Sequence, residues 1–428
     1  MSSRTNARWF LIVPSIMVFW MIGNIDKLGI SIVVSNRSFL NAMNLEGKSA
    51  RIALLSTGFT FAYAIANFFW GIVADRWGPR RVAICGTSIW GLMMILGGIS
   101  TTYGFLLISR ILLGIGEAIL WVVSTKFSAN WFNKKEVSRA QSLWFIGNTL
   151  GPAIGAPLIV AVMAGSWRNA FFMLAALSLI IAMPMFVFFT RNTPNEHFAA
   201  NEEEIAYIET GKESGITHEE RESITIFTRK WRYWLIVVAH VSFGYVFFGL
   251  SFWLPTYLKT IRHFSASSMA GWTSVSWIFG VVGALLAGYI IDRSKQASIL
   301  GIVCSVLGAI VMYTGAVTGT ATTSAAMLSI GVACQQAAMI VNLYLLQKFV
   351  STRSIGSATG IMAGFSTLLG GFAPIVIGAL VSLTGGSFMM GIDTLVIFAL
   401  IALIAYICIW PSERARQDQS VETTVQIS

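Results

Sequence analysis

Long apolar segments alternate with short polar connections along almost the entire chain. A helix needs roughly 20 apolar residues to cross a bilayer, and backbone groups in lipid must find their hydrogen bonds within the segment. The pattern therefore predicts an all-α polytopic membrane protein with about twelve transmembrane helices. The predicted spans are residues 9–34, 51–73, 80–100, 103–125, 140–163, 168–190, 232–257, 270–291, 297–318, 322–347, 356–382 and 388–410.

One long polar stretch divides these spans into six plus six. We expect an N-terminal six-helix bundle at 1–190, a cytoplasmic central loop at 191–231, a C-terminal six-helix bundle at 232–410 and a cytoplasmic tail at 411–428. The loop segment EEEIAYI is expected to form a short surface helix. Both halves carry Gly, three residues and then Asp-Arg at the same point, in GIVADRWGPRR and GYIIDRSKQ, as a duplicated six-helix unit would.

Composition supports the membrane assignment and excludes several classes of protein. Hydrophobic residues make up 55% of the chain and charged residues only 11%, whereas soluble domains carry about 25% charged residues. The net charge of +10 comes from cations between spans and not from a basic stripe with aromatic residues, so nucleic-acid binding is not expected. The cysteines form no CxxC pair and predict free thiols, with no metal site and no cofactor.

Lysine and arginine are unevenly distributed between the two sets of connections, and cytoplasmic loops normally carry the excess. A cytoplasmic N-terminus would place on that side Arg4, Arg8, Arg76, Arg80, Arg81, Lys126, Lys134, Lys135, Arg139, the central-loop cations, Arg293, Lys295, Lys348, Arg353, Arg414 and Arg416. The other side would hold only Arg37, Lys48, Arg51, Arg168, Lys259 and Arg262. We therefore expect both termini in the cytoplasm and the protein in the plasma or inner membrane.

Four ionisable residues interrupt the apolar spans: Asp26 and Lys27 in the first, Arg110 and Glu117 in the fourth. A charge at bilayer depth costs several kcal/mol and usually marks a functional site. Arg110 and Glu117 share a helix face but lie about 10 Å apart along the axis, and Asp26 and Lys27 point roughly 100° apart, so each can meet another group. A buried cation attracts a carboxylate substrate, and a desolvated carboxylate can carry a proton. The alternative is a fixed charge network that braces the bundle.

The connection after the second span carries a dense charge motif. Its residues are Gly71, Asp75, Arg76, Gly78, Arg80 and Arg81. We expect Gly71 to allow close helix approach, Gly78 to make a turn, and the charges to form a latch that differs between two conformations. Simple positive-inside anchoring is the alternative. The motif resembles the loop 2–3 signature of the major facilitator superfamily of secondary transporters.

Within that superfamily the chain resembles the anion:cation symporters, which include hexuronate, galactonate and glucarate transporters. The resemblance covers nearly the whole chain and is carried by NIDKLGISIVV (24–34), residues 109–158, TPNEHFAANEEEIAYI (193–208), FWLPTYL (252–258) and GSATGIMAGFSTLLGGFAP (356–374). It implies two pseudo-symmetric six-helix bundles that work by alternating access.

The resemblance also implies roles for individual residues. Lys27 and Arg110 match substrate-binding cations, and Asp26 and Glu117 match acids that take part in proton coupling. Tyr63 matches a substrate-contacting tyrosine. The family usually has arginine at Lys27, and lysine lacks the planar bidentate fork.

Further polar residues are candidates for a substrate site. Asn148 matches a family Gln/Asn position, and Asn67 shares a helix face with Tyr63. Tyr245, Gln335, Gln336 and Asn342 are candidates by location alone. Hydrogen bonding between helices is the alternative for them. Ala363 stands where the family often has asparagine, which predicts the loss of one contact to a hydroxylated substrate.

The function expected from these features is proton-coupled symport of a small organic anion, a sugar acid or other carboxylate, by a monomer. Sodium coupling remains open. An organic-anion antiporter or uniporter of the same fold is the alternative, and GNTLGPAIG (147–155) resembles a motif associated with antiporters. A sensor would need a soluble output domain, and an enzyme would need a metal cluster or nucleophile–base set, so neither is expected.

Overall fold

The computed structural model describes residues 5–133, 136–213, 227–350 and 355–427. Arg4, Lys134, Lys135 and Arg353, which contributed to the predicted orientation, lie outside the described residues, as does the part of the predicted central loop at 214–226.

The described part of the chain contains twelve helices that are long and apolar enough to cross a membrane, as the sequence predicted. In chain order they are α1 (Arg8–Val33), α2 (Ser49–Trp77), α3 (Pro79–Ile99), α4 (Tyr103–Trp131), α5 (Val137–Val162), α6 (Arg168–Phe189), α7 (Trp231–Thr260), α8 (Ala266–Ser294), α9 (Ala297–Val317), α10 (Ala321–Phe349), α11 (Ile355–Gly370 and Ala373–Leu383) and α12 (Met389–Ile427). No strand occurs among the described residues.

Several helices run past the predicted spans. Helix α2 continues to Trp77 and α4 to Trp131, while α12 extends through the predicted tail. Outside the spans, short helices cover Arg37–Ala42, Pro194–Glu196 and Glu202–Glu213. The last of these includes the EEEIAYI segment that was predicted to be helical. Its first three residues are glutamates, whose negative charges interact favourably with the positive N-terminal end of the helix dipole.

The chain forms two compact units. The first unit comprises residues 1–46 and 54–220, and the second comprises residues 47–53 and 221–428. The first therefore contains α1, most of α2 and α3–α6, together with the helix Glu202–Glu213. The second contains α7–α12.

In the first unit, α5 packs against α1 through glycines. A Cβ atom on Gly147 would lie 2.2 Å from the Met17 carbonyl oxygen, and one on Gly151 would lie 2.5 Å from the Met21 carbonyl oxygen. Small residues let two helix backbones approach closely in a membrane, where packing replaces the hydrophobic effect as the main attraction. The glycines of GNTLGPAIG thus have a packing role.

A buried ion cluster joins the start of α1 to the helix Glu202–Glu213. Arg8 is fully buried, and its guanidinium contacts Glu204 at 2.6 Å and Glu136 at 3.1 Å. The Glu204 carboxylate also accepts the Thr5 hydroxyl at 2.6 Å and the Ala7 N–H at 3.1 Å. This cluster, which we call the Arg8–Glu204 staple, satisfies backbone donors that the first turn of a helix leaves unpaired.

The second unit has a neutral polar network in its interior. The Tyr406 hydroxyl of α12 donates to Asn342 of α10 at 2.8 Å, and the Asn342 amide nitrogen lies 3.5 Å from His240 Nδ1 of α7. Nearby, a Cβ on Gly301 of α9 would lie 2.8 Å from the Tyr406 ring. The network therefore ties α7, α10 and α12 together beside a close contact between α9 and α12.

Replacing Gly147 with alanine should destabilise the first unit, because the added methyl would overlap the α1 backbone. Overpacking of this kind costs about 1–3 kcal/mol. Gly104→Ala is the matched control, since nothing lies within 4 Å of its added Cβ. Thermal unfolding of the purified protein in detergent should show a lowered midpoint for Gly147→Ala only. Equal midpoints for both variants would contradict this packing.

Glu204→Ala should also lower the unfolding midpoint, since removal of one partner of a buried ion pair costs about 3–5 kcal/mol. Glu203→Ala removes the same side chain one position earlier, where it is exposed, and should leave the midpoint nearly unchanged. The comparison uses the same detergent assay. If the two variants unfold alike, the staple does not stabilise the protein.

Candidate functional site

The four intramembrane charges of the first unit pair across helices. Arg110 Nη1 of α4 lies 3.4 Å from Asp26 Oδ1 of α1, and Lys27 Nζ of α1 lies 3.2 Å from Glu117 Oε1 of α4. The neighbours Asp26 and Lys27 thus bind different residues of α4, one helix turn or more apart. The structure brings together the four residues that the sequence singled out, as two cross-helix ion pairs.

The two pairs differ in exposure. The Lys27 side chain is 28% exposed and that of Arg110 only 2%, while Glu117 is fully buried. Among the described residues, neither Glu117 oxygen nor Arg110 Nε has a hydrogen-bond partner, although Lys27 lies within ion-pair distance of Glu117. Buried polar atoms are normally hydrogen-bonded, so this site retains unused donors and acceptors, with Lys27 as its most accessible cation.

Aromatic rings of α2 lie beside both cations. Lys27 Nζ is 4.8 Å from the Tyr63 ring centroid, and the Arg110 guanidinium carbon is 4.9 Å from the Phe59 ring centroid. These distances suit cation–π attraction. Tyr63 was predicted as a site residue and Phe59 was not, although its spacing of four from Tyr63 places both rings on one helix face.

Glycines set the spacing of the helices that carry the charges. A Cβ on Gly114 of α4 would lie 2.4 Å from the Phe59 carbonyl oxygen of α2. A Cβ on Gly116 would lie 2.9 Å from the backbone nitrogen of Trp90 on α3, and one on Gly23 of α1 would lie 3.2 Å from Glu117 Oε1. Side chains at these positions would push α1, α2 and α3 away from α4, so the glycines hold the charges within ion-pair distance.

Helix α4 is interrupted directly after Glu117. One α-helical segment ends at Glu117, Ala118 lies between, and the next segment begins at Ile119. The Ile115 carbonyl, one turn before the second segment, accepts the Trp70 indole N–H of α2 at 2.7 Å. A partner from another helix thus supports the backbone at the point where the site acid lies.

One residue that sequence reasoning missed contacts the site directly. The Trp90 indole N–H of α3 donates a hydrogen bond to Asp26 Oδ2, and Trp90 is fully buried. The only signal in the sequence was a tryptophan in the middle of a span, away from the interfacial belts where tryptophan is enriched.

The other polar candidates of the first unit lie on α2 and α5. Asn67 is half-buried one turn after Tyr63 on α2, and Asn148 is half-buried on α5 beside Gly147. Because Gly147 contacts the α1 backbone at Met17, Asn148 is held close to α1, the helix that carries Asp26 and Lys27.

The candidates of the second unit lie in its interior. The Tyr245 hydroxyl donates to Thr394 at 3.2 Å, and its ring stacks on Phe398 with centroids 3.8 Å apart. Gln336 packs against Gly280, whose added Cβ would lie 3.0 Å from Gln336 Cγ. Asn342 belongs to the network with Tyr406 described above. In this conformation these side chains serve contacts between helices.

Within the loop motif, the acid pairs with a lysine of α4 and not with the arginines beside it. Asp75 forms an ion pair with Lys126. Arg76 and Arg81 are exposed. The close helix approach expected at Gly71 is not found, because no atom of the described residues lies within 4 Å of an added Cβ.

The turn of the loop motif is connected to the end of α6. Gly78 has φ 80°, and Asn192 Oδ1 accepts the backbone N–H of Arg80 at 3.0 Å. The Arg80 guanidinium donates to the carbonyl oxygens of Phe186 at 3.2 Å and Val187 at 2.8 Å. A cation at the C-terminal end of a helix interacts favourably with the helix dipole.

Known proteins with similar sequences are membrane transporters. A hexuronate transporter of Bacillus subtilis is 25% identical over 92% of this chain and 94% of its own length. A probable L-galactonate transporter of Escherichia coli is 28% identical over 82% of this chain and 80% of its own. A probable sulfoacetate transporter of Cupriavidus necator is 28% identical over 66% of this chain and 65% of its own length.

Solved transporter structures share the fold at low sequence identity. A bacterial homologue of the human lysosomal transporter Spinster, inward-facing and occupied, superposes with a TM-score of 0.78 at 16% identity over 94% of this chain and 97% of that one. A D-xylose–proton symporter gives 0.74 at 14% identity over the same shares of each chain.

The family model of the Major Facilitator Superfamily matches residues 9–374, which include α1 from its second residue, all of α2–α10 and part of α11. The twelve apolar helices and this match make the protein an integral membrane protein and a transporter, not an enzyme. The chain belongs to the major facilitator superfamily.

Proposed function

We propose that this protein is a proton-coupled symporter of a small organic anion. The observation that carries the proposal is the presence of two cross-helix ion pairs, Asp26–Arg110 and Lys27–Glu117, inside the first unit. Each pair joins a cation that can bind a carboxylate to an acid that can bind a proton. Intramembrane ionisable residues of this kind normally mark substrate or proton pathways.

Charge balance explains why anion and proton would bind together. Lys27 and Glu117 neutralise each other when the site is empty. A proton on Glu117 would leave Lys27 without a counterion, and a substrate carboxylate would replace it. Because a buried net charge is costly, either ligand alone is disfavoured and the two together restore neutrality. This differential binding is the requirement for coupling.

The second pair would contribute in the same way but at greater depth. Arg110 is almost completely buried, and its Nε has no hydrogen-bond acceptor among the described residues. We assign Arg110 to substrate and Asp26 to a proton, with the exchange of partners occurring after Lys27 has captured the anion at the more exposed position.

The substrate class follows from the cation chemistry and from the relatives. Hexuronate, galactonate and sulfoacetate are all small anions. Lys27 supplies a compact ammonium, which can bind either a carboxylate or a sulfonate because it does not require bidentate geometry. Tyr63, Asn67 and Asn148 are proposed to contact the rest of the molecule. In the second unit, Tyr245, Gln336 and Asn342 are proposed to bind substrate after a conformational change.

The loop motif is proposed as a conformational latch. Asp75 and Lys126 form an exposed ion pair, with side-chain exposures of 64% and 37%, and exposed pairs contribute at most about 1 kcal/mol. An interaction this weak can be broken and remade in each cycle. By the distribution of cations, the latch and both termini would lie on the cytoplasmic side of the plasma or inner membrane.

Uptake into proteoliposomes tests the coupling. With a one-unit inward pH gradient, we expect the wild-type protein to concentrate labelled D-glucuronate, L-galactonate or sulfoacetate about tenfold for each proton that moves with one anion, since one pH unit corresponds to 1.36 kcal/mol per proton. A protonophore should abolish the accumulation. Accumulation of these anions that is indifferent to the gradient would overturn the coupling, and counterflow without net proton movement would identify an exchanger or uniporter.

Glu117→Gln should lose uphill accumulation and retain exchange of internal for external anion, because the amide imitates the protonated acid and cannot release a proton. Glu203→Gln, at an exposed position of the same unit, should behave like the wild type in both assays. If Glu117→Gln still accumulated substrate against its gradient, Glu117 would not be a coupling residue.

A double-mutant cycle on Asp26→Asn and Arg110→Gln separates a brace from a binding site. Each single change leaves one buried charge unpaired and should cost about 3–5 kcal/mol of stability, while the double variant should recover a large part of it without recovering uptake. The same cycle on the exposed Asp75–Lys126 pair should give changes below about 1 kcal/mol. Uptake that returned in the double variant would show that the pair only braces the bundle.

A further inference from the structure

The Asp26 carboxylate has two partners of different character. Its Oδ1 faces Arg110 Nη1 at 3.4 Å, beyond the usual length of a charge-assisted hydrogen bond. Its Oδ2 accepts the Trp90 indole N–H. An indole N–H donates only and carries no charge, so Trp90 cannot take up the proton that the ionisable groups bind.

The Trp90 indole is held in place from several sides. Gly116 of α4 allows the α3 backbone at Trp90 to approach closely, and Gly91 of α3 faces Leu179 of α6, whose Cγ would lie 2.3 Å from an added Cβ. The indole also packs against Phe19 of α1, with ring centroids 6.1 Å apart. A donor fixed in this way keeps its direction when other groups in the site exchange partners.

We propose that Trp90 is a positioning residue for Asp26. The Trp90 indole holds the Asp26 carboxylate in its orientation while Arg110 changes partner. The inference rests on the proposed function of Asp26 and Arg110. In the empty site, Asp26 is shared by Arg110 and Trp90. When Arg110 turns to a substrate carboxylate, Trp90 remains as the donor to Asp26.

Trp90 also influences when Asp26 is protonated. A hydrogen bond to the ionised form of an acid favours that form, and because the indole stays bonded to Asp26, it opposes protonation both before and after Arg110 has left. The charged groups around Asp26 are Arg110 and Glu117 on α4 and Lys27 on α1. Phe59 and Tyr63 of α2 face the two cations with aromatic rings, and Trp90 itself comes from α3. The Trp90 N–H is thus the neutral contribution to a balance set otherwise by charges.

Trp90→Phe tests the inference, because it keeps an aromatic ring and removes the N–H. We expect the pH midpoint of uptake to move about one to two units towards alkaline pH, because the ionised carboxylate loses a hydrogen bond. Trp144→Phe is the matched control. Trp144 is also buried in the first unit, and its N–H donates to Ser128 at 3.1 Å, in a different set of contacts. Its pH profile should stay where the wild type has it.

A purely structural role for Trp90 predicts a different result. Uptake would fall by the same factor at every pH and the midpoint would not move, which would overturn the inference.

A second measurement does not depend on the folding of the Trp90 variant or on transport. In wild-type protein labelled with ¹⁵N-tryptophan, one indole N–H resonance should move with pH, and this movement should be absent from Asp26→Asn. A set of indole resonances insensitive to pH would contradict the Trp90–Asp26 contact. If uptake proves independent of pH while the indole titrates as expected, the coupling proposal fails and the contact between Trp90 and Asp26 stands.

Discussion

Neutralisation of charge inside an apolar bundle is the constraint on which the first unit depends. Asp26, Lys27, Arg110 and Glu117 would each destabilise the unit if left alone at bilayer depth. Cross-helix pairing lowers that cost, but only if the packing of α1 against α4 keeps the charged nitrogen and oxygen atoms of each pair within ion-pair distance, here 3.2 and 3.4 Å. The glycine contacts, the aromatic rings of α2 and the indole of Trp90 all serve this spacing.

The two units handle buried polarity differently. In the first, ion pairs lie in mid-span. In the described part of the second, the ion pair Lys348–Glu413 lies near helix ends, where Glu413 also accepts the N–H groups of Ala297 and Ser298 at the start of α9. The interior holds neutral groups such as Asn342. The described interior of the second unit therefore offers hydrogen bonds from neutral groups, whereas the first unit buries two ion pairs.

Much of this arrangement could be predicted from the sequence, and the remainder depends on packing. Hydropathy gave the twelve helices, and the cost of intramembrane charge identified the four ionisable residues. Their partners could not be predicted, because these depend on the rotation and height of α1 against α4, and on contacts such as that of Gly23 with Glu117, between residues far apart in the chain. For the same reason the sequence did not indicate that Trp90 contacts Asp26. It indicated Asn342 only by its place in a span and not its partner Tyr406, which is 64 residues away.

The Arg8–Glu204 staple bears on the order in which the protein is made. Its two residues are 196 positions apart, and Glu204 follows the sixth helix. During synthesis, the contacts of Glu204 with Ala7 and Arg8 at the start of α1 therefore cannot form until the polar segment after α6 has left the ribosome. The first unit extends beyond its last membrane helix, and a transporter produced as two fragments would keep Arg8 and Glu204 on one fragment only if it were divided after residue 204.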